Sequence, residues 1–239
     1  MKYVISLVVG LIFGAAFFAA GFYYNPFVGQ AKLSPLAVSD AKMTALSYSA
    51  VVADSILFTN DGESMSRPYP NKVSELWEPA IKDSQVLVTS LTDARGQPAG
   101  IGIKMSSPSE KSRLYKSEFL VNSVWHLYMP GRGTLAIDQT ESYWAYLRDI
   151  VIPAWWSSSD AWRGSWSRNM SVGPGALGTA RVTGLGGEFD GLQSEAVESL
   201  NARAYSTLQG PVSMSGMLSI AISDESALLE ERLSEESIP

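Results

Sequence analysis

No cysteine occurs among the 239 residues. Its absence removes disulfides, thiol nucleophiles, cysteine-ligated metals and a lipid-modified N-terminal cysteine, without choosing a compartment. Histidine is nearly missing as well: His126 stands alone, so a histidine metal cluster and an H-E-x-x-H helix are excluded and no metal site is expected. Basic residues are too few for a polyanion-binding surface. Lys and Arg number 18 against 24 Asp and Glu, for a net charge of -6, and nucleic acid is not an expected partner because phosphate neutralisation needs a basic face. No internal repeat or low-complexity tract divides the chain, which fits one large domain after the N-terminal segment. No motif calls for a cofactor, and none is expected.

One long apolar run is present. Val4 to Tyr24 carries no charged side chain, and roughly 20 residues at about 1.5 Å each cover a hydrocarbon core about 30 Å thick. A cleaved secretory signal has a shorter apolar stretch before its small-residue cleavage site. Here Phe22, Tyr23, Tyr24 and Phe27 follow the run, where aromatic rings favour the headgroup layer. The expectation is an uncleaved single-pass anchor with membrane lipid around it. Lys2 precedes the run and Lys32 is the first cation after it, a bias that places the N-terminus in the cytoplasm and the main domain in the periplasm or extracellular space. The expected division is a cytoplasmic N-terminus 1–3, anchor 4–24, linker 25–42, β-rich domain 43–222 and acidic tail 223–239. Ser6, Gly10 and Gly14 recur every fourth residue along the run, a small-residue face that admits homo- or hetero-association with a second helix.

The exported part reads as β-rich, mainly an antiparallel barrel or sandwich, with inserted helices. Strand character marks 46–52, 55–59, 85–91, 101–105, 119–128, 134–137, 179–183 and 211–222. Asp93-Ala94-Arg95-Gly96 and Pro130-Gly131-Arg132-Gly133 supply hairpin turns between consecutive strands. Two stretches suggest helices instead. Asp138 with Glu141 resembles a capping box before Tyr143, Leu147, Ile150 and Val151, ending at Pro153. Leu192, Ala196, Leu200 and Ala204 fall four apart, which predicts an amphipathic helix over 193–204.

Several motifs lack the context their chemistry needs. Gly173-Pro-Gly175-Ala-Leu-Gly178 matches G-x-G-x-x-G, with Glu195 and Glu198 beyond it, yet polar residues precede it and strand-like residues follow, so a turn is the better reading. Ser39-Asp-Ala-Lys42 matches S-x-x-K without the further elements of a serine acyl-enzyme. His126 lies in Val124-Trp125-His126-Leu127-Tyr128 without a G-x-S-x-G elbow; a packed, hydrogen-bonded histidine is expected, with a ligand contact as the functional alternative. Arg132 is a turn residue able to meet an anionic ligand group.

Aromatic residues concentrate between Tyr143 and Trp166, where Trp144, Trp155, Trp156, Trp162 and Trp166 are five of the chain's seven tryptophans. Three uses compete for them: core packing, a platform for a hydrophobic ligand or glycan, and contact with the bilayer interface. Carboxylates at Glu141, Asp149, Asp160, Glu188 and Asp190 leave a paired-acid hydrolase or isomerase as an alternative. The leading functional expectation is a membrane-anchored domain without an evident catalytic motif that binds a hydrophobic or amphipathic ligand or an envelope partner. An assembly subunit held through its span is a further alternative. A reporter enzyme active only outside the cytoplasm, fused after Pro239, is expected to be active; a stable but inactive fusion would reverse the topology.

Overall fold

The computed structural model describes residues 2–23, 42–51, 56–59, 73–75 and 84–222. A helix, α1 (Lys2–Tyr23), comes first. Its stretch Tyr3–Gly21 is long and apolar enough to cross a membrane, and none of it is buried against the protein. The sequence explains this: apolar side chains cover the helix all round, so no polar stripe exists to distinguish a solvent face. Most of the expected linker 25–42 and all of the tail 223–239 lie outside the described residues.

The rest is mostly antiparallel sheet with a few short helices. The strands are β1 (Lys42–Ser49), β2 (Ile56–Thr59), β3 (Val73–Glu75), β4 (Gln85–Thr92), β5 (Pro98–Pro108), β6 (Leu120–Met129), β7 (Gly133–Ser142), β8 (Ala161–Asn169), β9 (Ser171–Gly173), β10 (Ala180–Gly187), β11 (Gln193–Ser206) and β12 (Gly210–Ile222). Their order is β1-β12-β11-β10-β7-β6-β5-β4-β2-β3, and β1 also meets β4 at Ser47↔Thr92 and Tyr48↔Leu91. The sheet therefore curls back on itself, but it is not a clean barrel. Beside β7 the neighbour changes from β10 to β9, and beside β11 it changes from β10 to β8. Both expected hairpins are present, β4 with β5 and β6 with β7.

Between β7 and β8 runs a helical cover made of α2 (Trp144–Tyr146), a π-helical turn (Leu147–Val151) and α3 (Ile152–Trp156). The expected capping box is not its start, because Asp138 and Glu141 lie within β7. Pro153 does not stop the helix either. Proline crowds the carbonyl four residues back and donates no N–H, and the wider turn just before it shifts the backbone bonding away from that spacing.

The predicted helix over 193–204 is instead β11. A spacing of four satisfies a strand's period of two as well as a helical turn, and Ala196, Leu200 and Ala202 do face the core. The position that would have completed the alternation holds Glu198, a carboxylate, so the apolar pattern looked helical. A bulge between Ala202 and Ala204 then brings Tyr205 inward. The aromatic stretch between Tyr143 and Trp166 contains most of β8, in which Trp162, Gly164 and Trp166 alternate with Arg163, Ser165 and Ser167.

Inside the curled sheet, Leu46, Leu91, Trp125, Leu127, Met129, Leu135, Ile137, Leu218 and Ile220 pack into one core. Burying each aliphatic side chain contributes about 1.5–3 kcal/mol. Two inward glycines make room for larger rings. Tyr48 lies directly opposite Gly216 in the ladder, and a Cβ at Gly216 would collide with the Tyr48 ring. At Gly102 a Cβ would sit 2.9 Å from Trp125 Cζ3. An aromatic ring laid over a cross-strand glycine fills the space that the missing side chain leaves.

The sheet has two distinct ends. At one, the turns 93–97, 130–132 and 188–192 gather beside the paired chain ends Lys42 and Ile222, with Glu188 N–H donating to Arg132 O at 2.6 Å. At the other, the helical cover meets the β5–β6 connection through Tyr143 N–H to Phe119 O (2.8 Å). There the β11–β12 turn joins the α3–β8 turn through Thr207 N–H to Asp160 O (2.9 Å). Gly216→Ala is expected to destabilise the protein by about 1–3 kcal/mol through overpacking against Tyr48, measured by urea unfolding; an unchanged midpoint would show that the ring moves aside freely.

Candidate functional site

Three charged side chains from separate strands meet inside the sheet. Lys104 is inward on β5, Glu141 is inward near the end of β7 and Glu198 is inward on β11, and all three are buried. The Lys104 ammonium donates to Glu141 Oε1 at 2.7 Å and to Glu198 Oε1 at 2.8 Å. It also lies 5.4 Å from the centre of the Trp125 ring, close enough for a cation–π attraction that gains from the loss of water.

The two carboxylates are served very differently. Glu198 Oε1 also accepts from the Tyr48 hydroxyl, while Oε2 accepts from Trp125 Nε1–H at 2.9 Å and from Gln139 Nε2–H. Gln139 is held in turn by Ser171, whose hydroxyl donates to Gln139 Oε1 at 2.7 Å and accepts from Glu198 N–H at 2.8 Å. Glu141 has Lys104 on Oε1 and the buried Ser123 hydroxyl close by, which favours its charged form, but neither Glu141 Oε2 nor Ser123 Oγ makes a hydrogen bond of regular geometry.

This asymmetry separates their protonation. Burial opposes ionisation of Glu198, but Lys104 and the Tyr48 and Trp125 donors outweigh it and hold the carboxyl below its ordinary value. For Glu141, burial and the facing Glu198 charge outweigh Lys104 and push the carboxyl up to about 7. Burial alone would lower Lys104; the two carboxylates reverse that and keep the ammonium charged. Tyr48 is raised by burial and Glu198, and Tyr143 by burial and Glu141, so both phenols stay neutral. With both glutamates ionised the cluster is one charge negative; protonation of Glu141 makes it neutral. Glu141 is therefore the carboxyl of the cluster that holds its proton most readily, and it does so out of contact with solvent.

The residues singled out in the sequence fall elsewhere. His126 is exposed on the outer face of β6, not packed. Arg132 is exposed in the β6–β7 turn, paired with Glu188 at 3.0 Å and 5.0 Å from the Phe189 ring centre. Trp144 in α2 and Trp162 on β8 are half-buried, whereas Trp166 is buried and donates from Nε1 to Asp149 Oδ2 at 3.2 Å. Asp149 also takes Arg148, at 2.6 Å. Tyr146 contacts Tyr143, Trp166 and Tyr205 edge-on, so much of the aromatic stretch is core. Trp155 and Trp156 are the exception: at 64% and 79% exposed, they line a shallow, open apolar groove with Val151 and Ile152.

The suggested carboxylate pairs do not assemble as one group, since Glu188 and Asp190 lie at the turn end and Asp149 and Asp160 at the helical end. Gly173 to Gly178 is the turn between β9 and β10, and no helix opens there. Lys42 begins β1 and Ser39 lies outside the described residues. On α1, Gly10 and Gly14 have open space around them. Among the described residues no His, Asp or Glu group has metal-holding geometry.

Sequence reasoning missed Lys104, Gln139, Ser171 and Tyr48 entirely and gave Glu141 and Glu198 other roles. The available signal was a charged residue at an inward strand position, as in Ile101-Gly-Ile-Lys104-Met105, where the apolar residues face outward.

No family model matches the chain and no curated protein is similar to it. One solved structure, described as a nonspecific heme-binding cyclase catalysing a cycloaddition in neoabyssomicin biosynthesis, is similar at 10% identity, covering 86% of this chain and 80% of that one with a TM-score of 0.36. A likeness that slight carries no argument about this chain.

Glu141 also sets a dependence of stability on pH. Its folded value, about 7, lies above its ordinary 4.5, so folding favours the protonated form and stability falls as pH rises from about 4.5 through about 7. At 1.36 kcal/mol per pH unit the loss is about 3 kcal/mol. Glu198 acts in the opposite sense, since its lowered value gives stability that is lost in acid. Glu141→Gln is expected to flatten the profile between pH 5 and 8 and raise the unfolding midpoint at pH 8. Retention of the wild-type slope in that variant would show that another group carries it.

Proposed function

We propose that this is a single-pass membrane-anchored protein whose β-rich domain lies outside the cytoplasm and binds a hydrophobic or amphipathic ligand in the groove of Val151, Ile152, Trp155 and Trp156. The observation that carries the reading is the exposure of two adjacent tryptophans beside an apolar floor. Large aromatic surface left in water is unfavourable by about 25 cal/mol per Å², and flat apolar rings with few polar neighbours suit acyl or ring systems. The anchor reading is supported by the length and apolarity of α1, and the cationic N-terminal flank supports the orientation.

A second reading is favoured by the buried Lys104–Glu141–Glu198 cluster and the raised Glu141 carboxyl: an acid–base enzyme acting on a ligand that reaches the interior beneath the helical cover. Glu141 would exchange the proton, and Lys104 and Glu198 would hold the charge around it.

The test of the first reading uses the full chain in amphipol with a brominated long-chain fatty acid as probe. Quenching of tryptophan emission is expected to saturate, and Trp155→Ala with Trp156→Ala should weaken binding at least about tenfold, equivalent to about 1.4 kcal/mol. Equal affinity in the double variant would remove the groove as the site. Turnover of envelope extracts that disappears in Glu141→Gln, with folding intact, would favour the second reading instead.

A further inference from the structure

The helical cover between β7 and β8 is docked on the sheet through one narrow stripe. Its pieces are 3, 5 and 5 residues long, below the length at which helix persists in water without packing. Tyr146, Ile150 and Ala154, four residues apart, are its buried side chains. Among the described residues, its backbone bonds to other segments lie at its two ends: Tyr143 N–H to Phe119 O at the entry, and Thr207 N–H to Asp160 O in the turn beyond α3. An element docked in this way opens locally at lower free energy than strands bonded on both sides.

The buried charges sit at its entry. Glu141 ends the inward row of β7 two residues before Tyr143, whose ring packs on the core and whose hydroxyl feels Glu141, Lys104 and Glu198. Around Glu141 stand Lys104 from β5, Glu198 from β11, Tyr48 from β1, Tyr143 from the cover and the neutral Ser123 from β6. Two carboxylates share one ammonium there, and the Glu141 side chain is wholly buried. A carboxyl out of contact with solvent trades its proton only when some element moves aside. Lifting the cover hydrates Glu141 and relieves the cost of its charge.

We propose that the helical cover is a pH-gated lid, seated while Glu141 carries a proton and lifting from the sheet more readily once Glu141 is ionised. The sign follows from the seated form, in which Glu141 is held at about 7 against an ordinary 4.5. Seating is therefore most favoured below about 4.5 and loses that advantage as pH rises through about 7. Glu198, lowered from its ordinary value, stays ionised throughout and does not contribute over that range. The lid depends on neither the anchor nor the ligand groove.

Hydrogen–deuterium exchange on the full chain in phosphatidylcholine nanodiscs, each rate divided by the intrinsic rate at its pH, tests the lid between pH 5 and 8. Protection across 144–156 is expected to fall at least about tenfold as pH rises, while 196–202 of β11 stays at least about tenfold better protected than the cover at every pH. In Glu141→Gln the protection of the cover should no longer vary with pH. Equal protection of cover and β11 would mean that the molecule opens only as a whole, and a cover indifferent to pH would break the link; either result overturns the lid, as does a wild-type slope in Glu141→Gln. Thiol labelling checks the same motion without touching the charges, because the chain has no cysteine of its own. Labelling of Ala154→Cys, divided by that of a free thiol at the same pH, should rise over this range and outpace Ala180→Cys, which replaces a buried residue of β10. Equal labelling of the two would overturn the lid.

Discussion

An ammonium group buried inside a β-sheet must be surrounded by acceptors, and the arrangement around Lys104 follows from that requirement. Desolvating one charge costs several kcal/mol, so Glu141 and Glu198 stand at 2.7 and 2.8 Å from it. Two carboxylates for one cation then leave a surplus of negative charge. The structure distributes it unevenly: Glu198 takes the Tyr48, Trp125 and Gln139 donors and stays ionised, and Glu141 is left with the proton to exchange. Ser171 completes the arrangement by tying Gln139 to the backbone of β11. A set of groups recruited from β1, β5, β6, β7, β9 and β11 pins those strands into one register, since slipping any of them by one residue would turn its polar member outward.

The same requirement shapes the packing around it. The rings that donate to Glu198 are large, and they fit because Gly216 and Gly102 present no side chain beneath Tyr48 and Trp125. Once Gly102 and Lys104 occupy the inner positions of β5, period-two alternation sends Ile101, Ile103 and Met105 to the outside. The polar interior and the apolar exterior of this strand are therefore one feature. Exposed isoleucines here are the direct result of placing a lysine in the core.

Local signals were legible wherever pattern and partner were neighbours in sequence. The β4–β5 and β6–β7 hairpins could be read because alternating residues flank a glycine-rich turn, and the membrane-length helix because one uninterrupted run defines it. The site could not be read in the same way. Glu141 lies 37 residues from Lys104, and Glu198 lies 94 from it, and nothing in a single sequence couples positions that distant. Their presence also damaged the reading of secondary structure: Glu198 in place of an apolar residue made β11 look helical, and Asp138 with Glu141 resembled a cap. In β8 the Trp162, Gly164 and Trp166 alternation was present, but the serines and arginine between the rings kept it from standing out as a strand. The tryptophan cluster itself divided, with Trp166 joining the core through Asp149 and Trp155 and Trp156 remaining outside, a split that depends on which face of the helical cover rests on β8.

The placement of the two ends bears on what the exposed tryptophans meet. The chain enters the sheet at Lys42, which pairs with Ile222, the last residue of β12. The groove lies at the opposite end, near the β11–β12 turn where β12 begins. Along β12 the separation is 13 residues, roughly 40 Å at about 3.3 Å each, greater than the thickness of a hydrocarbon core. If α1 is the anchor proposed above, a groove at the opposite end of the sheet from Lys42 favours a ligand or partner distinct from that bilayer.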